Sequence, residues 1–151
     1  MLNQDLKEWI DFFFKIISTL GVIIAVITYR RNLKVKHAEW LWSLYQKFFE
    51  NEQLKTVRKV LIYHPERFEK LFDANVTEDD EVLIEKVDDF LNFFEFLASL
   101  ETLDQISRRE IDMMFDYYLT AISKNEHLIK YIKTEGFENL AKLTHNRRKK
   151  S

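Results

Sequence analysis

Glycine and proline, the residues that most often build tight turns, are nearly absent from this 151-residue chain. Glycine occurs only at Gly21 and Gly136, and proline only at Pro65. So few turn residues leave almost no material for β-hairpins or for the glycine-rich loops that bind phosphate. The sequence therefore predicts an all-α protein, and it excludes Rossmann, P-loop and small β-barrel folds.

Length and composition narrow the class of protein further. A chain of 151 residues predicts one domain, or one domain with an appendage. With 46% hydrophobic and 32% charged residues, the chain is too apolar to be disordered. It contains no cysteine, which excludes disulfides, thiolate metal sites and cysteine nucleophiles.

The near-neutral net charge of −2 conceals an uneven distribution of charge along the chain. Residues 30–59 hold eight basic and three acidic residues, whereas residues 60–140 hold eight basic and nineteen acidic ones. Residues 141–151 add five basic residues and no acidic one. Basic segments therefore flank an acidic body, a pattern that indicates a surface or a partner to which the chain binds.

Residues 1–29 are predicted to form a transmembrane anchor. The segment 10–29 reads IDFFFKIISTLGVIIAVITY, and twenty helical residues rise about 30 Å, enough to cross the hydrocarbon core of a bilayer. Asp11 falls near the interface, and the Lys15 side chain can extend towards it. Trp9 and Tyr29 bracket the segment as interfacial aromatic residues do. The alternatives are a signal peptide and the buried helix of a soluble bundle.

The residues that follow the apolar segment predict its orientation. Basic side chains lie directly after it, at Arg30, Arg31, Lys34 and Lys36. The positive-inside rule then places the N-terminus outside the cell and the C-terminal part in the cytoplasm, with a single pass through the inner membrane. Anionic lipid headgroups would attract each of these residues by about 1 kcal/mol, so the bilayer is the first predicted partner.

Beyond the anchor, helical periodicity predicts a cytoplasmic helical bundle over residues 30–145, followed by a basic tail over residues 146–151. The first helix continues from the span as far as Asn51. Capping boxes at Thr77 and Ser107 begin two later helices, and Gly136 ends a short one near the C-terminus. The predicted fold is thus an N-terminal transmembrane helix that continues into a small cytoplasmic bundle.

The acidic body also contains a cluster of aromatic residues, with four phenylalanines within residues 90–96. Either this helix is buried on two sides, or one side is an exposed patch for self-association or for a protein partner. The candidate residues for binding a partner, chosen for their apolar or acidic side chains, are Phe93, Phe96, Asp88, Asp89, Asp112 and Asp116. Asp112 and Asp116 lie four residues apart and offer the weaker alternative of a Mg²⁺ site.

Catalytic patterns are scarce. The four histidines are scattered, no Glu-x-x-His pattern occurs, and two glycines cannot form a Gly-x-Ser-x-Gly turn. The sequence therefore predicts no metal and no cofactor, and the acidic body argues against binding of nucleic acid. One alternative is a HEPN-like ribonuclease or toxin, in which Arg58 stabilises phosphate charge while His64 moves a proton. Arg31 and His37 have the same spacing, and such pairs are expected by chance.

Three segments carry a resemblance to a known family. YRRNLKVKHAEWLWSLYQKFFENEQLKTVRKVL, VDDFLNFFEFLASLE and ISRREIDMMFDYYL resemble a bacterial family of small single-pass membrane proteins of unknown function. The resemblance implies a helical cytoplasmic domain and transfers no catalytic residue. It suggests phage defence or a stress system as the context. The function expected from the sequence is a membrane-anchored binding or oligomerisation module, not an enzyme.

Overall fold

The computed structural model describes residues 4–72 and 77–148, which contain seven α-helices and no strand. The helices are α1 (Gln4–Glu50), α2 (Glu52–Tyr63), α3 (Arg67–Leu71), α4 (Glu78–Thr102), α5 (Arg108–Lys124), α6 (Glu126–Thr134) and α7 (Glu138–Arg148). The predicted all-α class is confirmed. The chain divides into two compact units, Met1–Leu44 and Tyr45–Ser151.

The first unit consists of most of α1. The stretch Lys7–Glu50 of this helix contains an 18-residue window with a mean hydropathy of 2.2, and none of that window is buried. Side chains 7–36 are all exposed, including the large apolar ones. By length and composition, this helix is able to cross a membrane.

The second unit has a core rich in phenylalanine. Its fully buried phenylalanines come from the end of α1 and from α3, α4 and α5, and they are Phe48, Phe68, Phe90, Phe94 and Phe115. Helix α4 packs against α2 and α7, while α5 packs against α2, α6 and α7. Because α4 lies among these helices, its apolar residues spread around more than half of its circumference.

Polar side chains cap the beginnings of α2, α4 and α5. Thr77 and Asp80 form a capping box at the start of α4, and Ser107 and Glu110 form one at the start of α5, as the sequence predicts. At the start of α2, the Asn51 side chain accepts hydrogen bonds from the backbone N–H groups of residues 53 and 54. Each cap satisfies backbone donors that the helix itself leaves unpaired.

Two residues within 4–72 and 77–148 have a positive φ, and both follow helix C-termini. Gly136, at φ +83°, ends α6 as the sequence predicts. Asp104, at φ +55°, lies one residue after the C-cap of α4 and has the same left-handed conformation without being a glycine. The Gln105 N–H donates to the Leu100 carbonyl at 2.9 Å and closes this turn. An aspartate therefore adopts, in this turn, the left-handed conformation that glycine usually provides.

A carboxylate on α4 fixes the beginning of α7. Glu95 accepts hydrogen bonds from the backbone N–H groups of Asn139 and Leu140, at 3.1 and 2.7 Å. It also accepts one from the Asn139 side-chain amide, at 2.8 Å. Because a negative charge at a helix N-terminus is favourable, Glu95 caps a helix more than forty residues away in sequence.

Helix α7 extends further than the sequence predicts. The periodicity predicts a helix end near residue 143 and a solvated basic tail over residues 146–151. In the structure, residues 146–148 continue the helix, and the side chain of Arg147 is only 11% exposed. Residues 149–151 lie outside the described residues.

Candidate functional site

Phe93 and Phe96, three residues apart on α4, have opposite environments. Phe93 is only 8% exposed, and its ring lies 5.0 Å from that of Phe48 and 5.5 Å from that of Phe115. The Phe93 ring is therefore part of the core and offers little surface to a partner. Phe96 is 50% exposed and is available to a partner.

Phe96 belongs to an exposed stripe along α4. The stripe has spacings of three and four residues, as one face of a helix requires, and it contains two carboxylates and no basic side chain. We call it the α4 stripe, and its members, all exposed, are Val82, Glu85, Asp89, Asn92 and Phe96. The predicted residues Asp89 and Phe96 thus share one solvent-facing, acidic and apolar surface.

Asp88 turns away from the α4 stripe towards α6. Its carboxylate accepts a hydrogen bond of 2.7 Å from the Tyr131 hydroxyl, and the Tyr131 ring stacks on that of Phe72 at 4.3 Å. Burial of the phenol, and secondly the neighbouring Asp88 carboxylate, raise the pKa of Tyr131 above its ordinary value of 10.0. Asp88 therefore holds α6 against α4, and its carboxylate is engaged within the chain.

The Tyr131→Phe variant is expected to lose less stability than the wild type when the pH rises above about 10. A raised pKa in the folded state means that the neutral phenol stabilises the fold below pH 10. This contribution disappears as the pH rises towards the higher folded pKa. Urea unfolding of the full chain between about pH 9 and 12 measures the difference. Tyr63→Phe, which removes the hydroxyl of an exposed tyrosine, is the control. Identical pH dependence of Tyr131→Phe and the wild type would contradict the role given to this hydroxyl.

Asp112 and Asp116 are bound by a single arginine. Both carboxylates form ion pairs with Arg147 of α7, and Asp112 also lies 3.4 Å from Nε of Arg108. Arg147 thus occupies the place beside the two carboxylates that a Mg²⁺ ion would take in the weaker alternative. Among the described residues, no group of three or more histidine, aspartate or glutamate side chains could hold a metal. The two carboxylates join α5 to α7.

Arg58, the arginine of the ribonuclease hypothesis, lies in the core. It is 8% exposed, and its guanidinium donates hydrogen bonds to the carbonyls of Phe48 and Phe49, the second at 3.1 Å. The guanidinium carbon also lies 4.7 Å from the centre of the Phe48 ring. Burial lowers the pKa of Arg58 below its ordinary value. These contacts satisfy the carbonyls at the end of α1 and leave the guanidinium with little surface for phosphate.

His64 does not join Arg58 in a common site. It ends α2, its side chain is 62% exposed, and its Nδ1 lies 3.6 Å from the Glu66 carboxylate. No contact between His64 and Arg58 occurs in the described part of the chain. The arginine faces the core and the histidine faces solvent, so the two side chains do not share a surface, and the ribonuclease alternative stays a hypothesis.

The residues predicted to lie at the membrane interface are all exposed on α1. Trp9 is 60% and Tyr29 is 65% exposed, at the two ends of the apolar segment. The basic residues that follow the segment are exposed as well, at positions 30, 31, 34 and 36. Their exposure is what contact with headgroups requires, and that contact itself stays a prediction.

Sequence reasoning missed a cleft beside α3, α4 and α6. The cleft has a volume of about 520 Å³, and its walls combine aromatic, aliphatic and charged side chains, among them Glu69, Phe72, Ile84, His127, Lys130 and Tyr131. No motif marks it, because its residues come from three helices that only the fold brings together. Its charges are of mixed sign and point to no ligand class.

Comparison with known proteins adds no relative from which a site could be transferred. The chain matches no protein-family model, no curated protein and no solved structure.

Proposed function

We propose that this chain is a single-pass protein of the bacterial inner membrane whose cytoplasmic helical domain binds a protein partner or further copies of itself. The observation that carries the proposal is the unburied apolar window of α1, with its mean hydropathy of 2.2. A helix of this composition in the core of a soluble protein would be mostly buried, whereas none of this window is.

The free energy of hydration supports a lipid environment for this segment. Large apolar side chains along it are 39–66% exposed, for example Phe14, Ile16, Ile17 and Ile24. Burying one such side chain contributes about 1.5–3 kcal/mol, so leaving more than ten of them in water would be very costly. A bilayer removes them from water without any contact with the rest of the chain.

The charges around the segment support the orientation. Four basic residues follow the apolar residues within two helical turns, and one basic and two acidic residues lie within the first nine. Basic flanks stay in the cytoplasm during insertion. The proposed topology therefore has the N-terminus outside and the domain that begins at Tyr45 inside.

Reporter fusions to the C-terminus test this topology. A reporter that is active only in the cytoplasm is expected to be active in cells, and a periplasm-dependent alkaline phosphatase fused at the same point is expected to be inactive. Changing the four basic residues of the flank to glutamate is expected to reverse or mix the two readouts. Activity of only the periplasmic reporter in the unaltered chain would refute the orientation. Recovery of the full chain from the soluble fraction without detergent would refute the anchor.

The α4 stripe supports a binding role for the domain. Glu85 and Asp89 supply negative charge, while Val82 and Phe96, each 50% exposed, supply apolar area. Exposed aromatic residues beside charges of one sign are typical of surfaces that bind protein partners. A partner with basic and apolar side chains complements this surface.

In-cell photo-crosslinking tests the role of the stripe. A photoreactive amino acid at position 96 is expected to give one discrete adduct, which disappears when Asp89 is changed to lysine. The matched control is the same amino acid at Lys133, an exposed position on α6, where no adduct is expected. An adduct at position 133 with none at position 96 would place the binding surface elsewhere on the domain.

A further inference from the structure

Most of the polar and small side chains of the apolar segment lie on one face of α1. At about 100° per residue, five of them lie within an arc of about 120°, and Thr19 and Thr28 lie outside it. We call this the Asp11 face, and its members are Asp11, Lys15, Ser18, Gly21 and Ala25. Phe14, Val22 and Tyr29 are the large side chains within the arc. The rest of the circumference carries mainly large apolar side chains, at Phe12, Phe13, Ile16, Ile17, Leu20, Ile23, Ile24 and Ile27.

The two charged residues of this face lie within the proposed span, so the argument rests on the proposed function. With the span centred between residues 19 and 20, the Cα atoms of Asp11 and Lys15 lie about 13 and 7 Å from the midplane. Both Cα atoms fall inside a hydrocarbon core of about 30 Å, Asp11 near its edge. The side chains can extend towards the interface, and a partner of opposite sign at this depth would stabilise them further. Although both side chains are described, the structure records no ion pair between them on their own helix.

Gly21 gives an independent indication of contact at this face. A Cβ atom built at Gly21 would meet nothing within 4 Å, and the backbone of this residue is helical. Packing within the chain therefore does not require a glycine here, although glycine weakens a helix relative to alanine. Gly21 and Ala25 have the Gly-x-x-x-small spacing that lets two membrane helices approach closely.

We infer that the span self-associates through the Asp11 face, and that the occupant of this face is a second copy of the chain in parallel orientation. All copies insert in the same direction, so each residue lies level with the same residue of the other copy. Asp11 then lies about 6 Å in depth from Lys15 of the other copy, an offset that the long lysine side chain can span. In a two-fold symmetric pair, Asp11 of each copy pairs with Lys15 of the other, so a single face supplies both ion pairs. A partner of different sequence would need its own acid and base at the same two depths.

Single cysteines in the full chain test this arrangement directly, because the natural sequence contains none. Ser18→Cys and Ala25→Cys report on the Asp11 face. Leu20→Cys and Ile27→Cys lie at similar depths on the opposite side. Oxidation in native membranes is expected to give about five-fold more disulfide-linked dimer at positions 18 and 25 than at positions 20 and 27.

Exchange of charge tests the ion pairs. In the Ser18→Cys background, Asp11→Lys and Lys15→Asp are each expected to reduce dimer about ten-fold, because like charges then face each other. Expression of the two variants together, with different tags, is expected to restore a heterodimer, since one copy then carries two bases and the other two acids.

The possible results separate this inference from the proposed function. Equal yields at positions 18 and 20, or no dimer at any of the four positions while the chain stays in the membrane fraction, would overturn the inference and leave the anchor intact. Loss of dimer that co-expression does not restore would overturn the pairing of Asp11 with Lys15. Recovery of the chain in the soluble fraction would overturn the proposed function itself.

Discussion

Replacing Phe48 with alanine is expected to lower the free energy of unfolding of the helical domain by about 4 kcal/mol, the largest effect of any single change considered for this chain. Phe48 is completely buried. Its ring centre lies 5.0–5.8 Å from those of five aromatic rings of α4 and α5, which are Phe90, Phe93, Phe94, Phe115 and Tyr118. Removing the ring therefore leaves a cavity at the centre of the core, surrounded by rings that belong to two different helices.

The loss is measured by urea unfolding of the detergent-solubilised full chain, followed by near-ultraviolet circular dichroism. Small domains unfold with a total free energy of about 5–15 kcal/mol, so a loss of about 4 kcal/mol removes between about a quarter and four-fifths of the stability. The matched control is Phe96→Ala, which removes the same ring from an exposed position and is expected to cost less than about 1 kcal/mol. Equal midpoints for the two variants would show that Phe48 is not the central ring.

Arg58→Met is expected to lower the free energy of unfolding by about 3 kcal/mol, although methionine fills much of the same volume. The change removes both hydrogen bonds to the carbonyls of Phe48 and Phe49 and leaves these acceptors buried. Arg58→Lys is expected to lose less, because a single ammonium can still reach one carbonyl. Lys59→Met, at the exposed neighbouring position, is the control and is expected to leave stability nearly unchanged.

Combining Phe48→Ala with Arg58→Met gives a further prediction. Because the Arg58 guanidinium lies over the Phe48 ring, the double variant is expected to lose about 1 kcal/mol less than the two single losses added together. An Arg58→Met protein of wild-type stability would contradict the structural role of this arginine. Arg58 would then again be a candidate for stabilising phosphate charge, as the ribonuclease hypothesis requires.

The sequence predicts the helices well because their signals are local. The capping boxes at Thr77 and Ser107 each join two residues that are three positions apart, so they depend only on the sequence at the start of the helix. Gly136 is likewise identified by the helix that it ends. The predicted end of α7 is too early, because the contacts that extend it come from α5. Arg147 continues the helix since Asp112 and Asp116 bind it there.

The candidate site is less predictable because its residues are defined by packing between distant helices. Asp88 and Asp89 are neighbours in sequence, yet Asp88 is hydrogen-bonded within the chain and Asp89 is exposed. The difference arises because Tyr131, 43 residues further along, lies beside Asp88. The same holds for Phe93 and Phe96, which differ in exposure because the end of α1 covers one side of α4.

The burial of Arg58 did leave a signal in the sequence. The buried apolar positions of α2 are Leu54, Val57, Val60 and Leu61, and Arg58 falls among them at helical spacing. An arginine on the apolar face of an amphipathic helix needs acceptors inside the protein, and this pattern alone would have favoured a structural role over a catalytic one.

The position of Phe48 near the C-terminal end of α1 has a consequence for proteolysis. This ring belongs to the same continuous helix as the apolar window, yet it lies only three residues before the turn at Asn51. Cleavage at that turn would separate the central ring from the rest of the core, so the fragment released from an anchor would lose its fold. Cleavage near residue 36 would leave the ring attached. A protease that is to free an intact domain must therefore cut on the N-terminal side of Tyr45, within the helix itself.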